Sequence, residues 1–140
     1  MEKKKIRYVV VIQCENAKKR CSGFACSNSF YERNFSFEGY DSDVQFLTMT
    51  CGGCCGSGVA SMLEHLSHKL TKKTDIKKDE IAVHLSSCMV TENYHHDRCP
   101  NVNYIRDVVI KKGYLNIVEG SYISMSAEKK RKEGVYKKYF

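Results

Sequence analysis

The residues with the most chemistry to offer are the cysteines of Cys51-Gly52-Gly53-Cys54-Cys55-Gly56-Ser57-Gly58. The run lies between a strand-like stretch, Val44 to Thr50, and a helix-like one, so unpaired N–H groups at the helix start stabilise negative charge on thiolates there. Gly52 and Gly53 carry no Cβ, so the sulfurs of Cys51-x-x-Cys54 can turn toward one point. Two chemistries use such a pair: a metal held by thiolates, and thiol–disulfide exchange at a helix start. Exchange needs only Cys51 and Cys54 and leaves the other six cysteines unexplained.

Those six are spread along the chain in a pattern that favours the metal. Cys14 follows the first apolar run, Cys21 and Cys26 stand in the next connection, and Cys88 follows a third apolar run. Beyond Cys88 comes a polar loop carrying His95, His96 and Cys99. One tetrahedral Zn²⁺ needs four ligands, and this set offers more. Cys14, Cys51, Cys54 and Cys88 are the first ligand candidates, with Cys99, Cys21 and Cys26 behind them. Cys55 adjoins Cys54 and is expected to point elsewhere. Of the histidines, one of the adjacent pair His95 and His96 is expected to ligate or to orient a ligand, and His95 is the candidate ligand. His65 and His68 lie opposite the apolar stripe of their helix, and His84 falls inside a strand as a core histidine. Soft ligands in a closed cage indicate zinc, and an iron–sulfur cluster is the alternative that uses the same sulfurs.

The elements that must position these residues follow from periodicity. Four apolar runs, Ile6 to Ile12, Phe46 to Met49, Ile81 to Leu85 and Tyr114 to Val118, read as strands. Between them, Val59, Met62, Leu63, Leu66 and Leu70 share one helical face, and Val102, Ile105, Val108 and Val109 share another that stops at Gly113. The alternation predicts an α/β fold, a small doubly wound, mainly parallel sheet of about four strands flanked by helices, within a single domain spanning 1–140. Cys14, Cys51, Cys54 and Cys88 then converge past the carboxyl ends of the strands, where open α/β sheets bind ligands.

Composition bounds the partners. With 42% hydrophobic and 28% charged residues and one proline, the chain is that of a folded globular protein. Eight cysteines in 140 residues, about 6%, fall below the ~8–10% of a disulfide scaffold. The basic and apolar amino terminus fails as a signal peptide because Arg7 interrupts it, and no stretch is long enough for a membrane span. The expected setting is the cytoplasm, with reduced thiols and no membrane partner. The net charge of +7 comes from separated lysine blocks, the pattern of solvated faces, and no nucleic-acid-binding spacing is present. The expected partner is a metal ion.

Two resemblances bear on function. Cys14 to Arg20 matches the Cys-x5-Arg loop of low-molecular-weight phosphatases, but the loop holds no glycine and no Asp-Pro general acid exists. The whole pattern resembles the CGGC-domain family of small proteins. It is carried by Cys14, Cys21-Ser22-Gly23 through Cys26, Cys51-Gly52-Gly53-Cys54, Ser87-Cys88 and Cys99-Pro100. The resemblance implies metal binding, with zinc as the metal, and names no reaction. The family's Cys-Pro-Gly is Cys21-Ser22-Gly23 here, and its terminal Thr-His is Ser121-Tyr122, which removes one expected imidazole.

Overall fold

The computed structural model describes residues 1–53 and 56–140. Cys54 and Cys55, and with them the sequence-based reading of Cys54 as a ligand, lie outside the described residues.

Val9, Val10, Val11 and Ile12 are β-branched on both faces of β1 (Tyr8–Gln13), and all four are completely buried. A strand with no polar face must sit inside a sheet covered on both sides, and β1 does. It pairs in parallel with β2 (Gln45–Thr50) on one side and β3 (Ile81–Leu85) on the other, and β4 (Asn116–Glu119) closes the order β2-β1-β3-β4. Every residue of β3 is also buried, whereas the edge strands β2 and β4 are only partly covered. The doubly wound α/β class read from the sequence is the fold observed.

Short connections follow β1 as α1 (Glu15–Lys18) and α2 (Phe24–Glu32). After β2 comes α3 (Val59–Lys73), after β3 come α4 (Ser87–Val90) and α5 (Val102–Lys111), and after β4 comes α6 (Met125–Lys132). The alternation of β1 side chains divides the core in two. Val10 and Ile12 pack with Leu63 and Leu66 of α3 and Ile105 and Val109 of α5, while Val9 and Val11 pack with Phe30 of α2, Phe37 and Tyr40. Helices on opposite faces, with the chain stepping from β1 out to β2 and then back across to β3, are what right-handed crossovers produce. The reversal between β1 and β3 opens a crevice at the carboxyl edge.

The fourth strand starts later than its apolar run. Tyr114 is fully buried with its hydroxyl donating to the Leu63 carbonyl at 2.8 Å, so it anchors the sheet to α3, and pairing begins only at Asn116. An aromatic that fills the core looks the same in sequence as one that starts a strand.

Candidate metal centre

Cys14 stands directly past β1, where the chain turns into α1, and its sulfur receives the Ala17 amide at 3.5 Å as the cap of that helix. Gln13 pairs with Thr50, and the Cys51 amide donates to the Gln13 carbonyl at 3.0 Å, so Cys14 and Cys51 leave neighbouring strands side by side. Both are buried in one apolar cluster, and Cys88 and Cys99 pack at its margin. The loop after Cys51 folds back on itself: Gly52 has φ +76°, and a Cβ there would lie 2.6 Å from the Gly58 nitrogen. Only glycine permits that approach. Gly56, with φ +69°, likewise leaves room for Ile105 of α5. The Cys51 thiol donates to the Gly53 carbonyl at 3.2 Å.

One side-chain pairing of a sulfur with an imidazole brings residues 82 positions apart together: Cys14 Sγ lies 3.0 Å from His96 Nε2. His96 Nδ1 is 2.6 Å from the Asp97 carbonyl, which can only accept, so Nδ1 carries the hydrogen and the Nε2 lone pair faces the sulfur. Sulfur and nitrogen share one proton, and removing it frees two lone pairs aimed at the same point. Cys88 is next to this pair. Its sulfur is 2.9 Å from the Ser86 hydroxyl, and burial pushes its thiol up to about 11, opposed by the Ser86 hydroxyl and the Cys14 backbone. Cys26 of α2 lies close enough that its charge and that of Cys14 also act on Cys88. Cys26 Sγ is 3.2 Å from the hydroxyl of Ser121, at the position where the family pattern ends Thr-His.

The remaining candidates divide. Cys21 and Cys26 line a cavity of about 650 Å³ together with Cys88 and His95, whereas Cys99 faces a smaller hollow beside Arg98 and Tyr139, its sulfur accepting the Asn101 amide at 3.4 Å. His95, the imidazole named from sequence, turns to Arg20, which donates to its Nδ1 at 3.3 Å and to its carbonyl at 2.9 Å. Burial, followed by the charges of Arg20 and His96, lowers the His95 pKa. Of the two adjacent histidines, His96 is therefore the one on a sulfur, a distinction that alternation along a loop does not encode. Among the described residues, no three His, Cys, Asp or Glu side chains are already arranged as an ion cage. The donors fit zinc by their chemistry, one thiol and one imidazole sharing a proton with a second thiol alongside.

Two further features were missed by sequence reasoning. Arg20, the arginine of the phosphatase-like spacing, is committed to the His95 loop, and Glu15 to Lys18 are wound into a helix instead of forming an amide cradle. The chain beyond β4 ties down the loop that carries His96. Arg131 of α6 donates to Thr91 Oγ1 at 3.0 Å and the Glu92 carbonyl at 2.9 Å, and Lys137 Nζ and Tyr139 Oη each reach Asp97 at 2.8 Å. Lys137, Tyr139 and the Arg98 amide hold the Asp97 carboxyl down at about 2. Scattered lysines and tyrosines in a basic tail gave no periodic signal of this fastening.

His65 and His68 are exposed on α3, and His84 is sealed in the core, as their sequence positions predict. No helix among the described residues is long and apolar enough to cross a membrane. A family model described as the CGGC domain matches residues 8–122. Neither a curated protein nor a solved structure matches the chain.

Proposed function

The chain belongs to the CGGC domain family, and from that membership and the crevice geometry we propose that it binds a metal ion, Zn²⁺, through sulfurs gathered at the carboxyl edge of its sheet. The observation that carries the reading is the contact of Cys14 Sγ with His96 Nε2 at 3.0 Å. Cys14, His96 and Cys88 form the nucleus of the ligand set. Cys51 leaves the strand next to Cys14, Cys26 stands close to Cys88, and Cys54, Cys99, Cys21 and His95 are the further candidates by sequence and position. Cys88 would hold the ion as a thiolate despite its elevated pKa, since zinc bound there would supply a Lewis acid that favours the deprotonated form of its sulfur ligands. Asp97 O orients His96 in the way that carbonyl partners hold metal-binding imidazoles.

The test is elemental analysis with an absorption spectrum on protein purified anaerobically without chelator. About one zinc or more per chain is expected, and visible absorption with bound iron would move the assignment to an iron–sulfur cluster. Folded protein that takes up neither zinc nor iron overturns the reading. Cys51→Ser and Cys88→Ser should reduce metal retention together. Rapid turnover of a small disulfide that requires Cys51 and Cys54 but ignores Cys88 and chelator would establish dithiol exchange instead. Burial of Cys51, with its thiol spent on Gly53 O, weighs against that outcome.

A further inference from the structure

The two edges of the sheet are finished differently. β4 is four residues long, and its last residue, Glu119, is tied to Arg98 at 2.9 Å and reaches Arg106 at 3.8 Å. β2 is six residues long and has no charged residue, proline or bulge, the devices that keep strand edges from pairing. The Gln45 amide donates to the Arg7 carbonyl and the Cys51 amide to the Gln13 carbonyl, so the odd-numbered residues of β2 face β1. The N–H and C=O groups of Phe46, Thr48 and Thr50 therefore point away from the sheet, and among the described residues no hydrogen bond reaches them.

The helix over this edge is open as well. Phe30 of α2 stacks on Phe46 with ring centroids 4.4 Å apart, and Tyr31 stands 6.2 Å from the same ring, yet Tyr31 is 71% exposed. Phe24, seven residues earlier on the same stripe of α2, is 70% exposed. Charge is missing from both layers: residues 21–31 and 44–63 hold no Asp, Glu, Lys or Arg in a chain that is 28% charged. Interface cores are depleted of charge and enriched in aromatic residues. In a chain of net charge +7, such a patch is also where a second copy can approach with the least like-charge repulsion.

We propose that the chain forms a homodimer by antiparallel pairing of β2 with β2 of a second copy. A two-fold axis through Thr48, normal to the sheet, sets this residue opposite itself and Phe46 opposite Thr50, so the outward N–H and C=O groups exchange bonds. The two α2 helices then lie on the same face of one eight-stranded sheet, and Phe24 and Tyr31 are covered in the same step. An extended peptide would complete the strand edge and leave both rings in water, which favours a partner that carries edge and helix together.

Analytical ultracentrifugation of the full chain, with reductant and chelator present so that neither disulfides nor bridging metal contribute, should show a species of twice 16.1 kDa that dissociates on dilution. Thr48→Lys, at an exposed position, sets two like charges against each other on the axis and should weaken the dimer by about 100-fold. Tyr31→Ala should weaken it by about tenfold. Circular dichroism checks that both variants fold, and should Thr48→Lys fail, Tyr31→Ala decides. Leu115→Lys, beside the β4 edge, should leave the dimer intact. A monomer at concentrations on the order of 100 μM, or a dimer indifferent to these β2-side substitutions, overturns the proposal. A monomer that instead takes up a synthetic peptide of residues 44–50 gives the edge to an extended peptide and overturns it equally.

Discussion

His84 and His96 are oriented in almost the same way and do different things. Each donates Nδ1–H to a backbone carbonyl, Gly120 at 2.8 Å and Asp97 at 2.6 Å, and each presents Nε2 to a protein side chain. For His84 that partner is the Tyr40 hydroxyl, which donates at 2.6 Å, and for His96 it is the Cys14 sulfur. His84 is wholly enclosed between the sheet and Phe37, which is 4.7 Å away ring to ring. His96 stands partly exposed on a loop at the crevice. Fixing the tautomer is thus common to both histidines, and what separates their settings is the softness of the second partner and access to it.

Breaking the enclosed pair should have the largest effect. His84→Leu leaves the Tyr40 hydroxyl and the Gly120 carbonyl unpartnered in the core, at a cost of about 3 kcal/mol. Urea unfolding should register that loss. The pH dependence sharpens the point. Burial lowers the His84 pKa to about 4, despite the Gly120 bond that favours the charged ring. Its unfolded value is near 6.5, so this group costs nothing above that pH. Between 6.5 and about 4 the unfolded chain takes a proton that the folded chain refuses, and stability falls by as much as about 1.4 kcal/mol per pH unit. His84→Leu should flatten that stretch of the stability profile, and an unchanged slope would show that another group sets it.

At the other imidazole the loss should appear in binding instead of folding. His96→Ala should lower zinc affinity by about 100-fold in a competition titration against a chromogenic chelator. The stability of the metal-free protein should move by less than about 1 kcal/mol, because the ring is not part of the core. A variant that unfolds like His84→Leu while holding zinc normally would make the two histidines alike and remove the basis of the comparison.

Tyr40→Phe should give the smallest change. It removes one hydroxyl and leaves His84 Nε2 without its donor, for about 1 kcal/mol by urea unfolding. Since the lost hydroxyl no longer opposes protonation of Nε2, the acid limb should also shift in the variant.

Periodicity made the sheet legible because β1 and β3 are apolar at every position and α3 and α5 carry clean stripes. The convergence of Cys14, Cys51 and Cys88 followed from topology, since each cysteine lies just past a strand end. Loop geometry was not legible. His95 and His96 differ by a single residue, and which one meets Cys14 depends on the turn made by Asn93, whose carbonyl oxygen Oδ1 accepts the His95 amide at 2.9 Å, and on the tail that grips Asp97. Neither the turn nor the grip repeats with a period. Tyr114 misled for a related reason, because its hydroxyl bond to Leu63 is a long-range contact and strand propensity is a local preference.

The 82-residue separation between Cys14 and His96 also has a meaning in time. Synthesis proceeds at ≈5–20 residues per second, so the sulfur is made on the order of ten seconds before its imidazole partner. The pairing partners of β1 are likewise both translated after it, so Cys14 cannot settle at a sheet edge until β2 and β3 exist. A nascent chain therefore displays a bare thiol before it can display the paired thiol and imidazole. The loop that brings the imidazole to this sulfur is fastened later still, because Arg131, Lys137 and Tyr139, which tie it down, are among the last residues made.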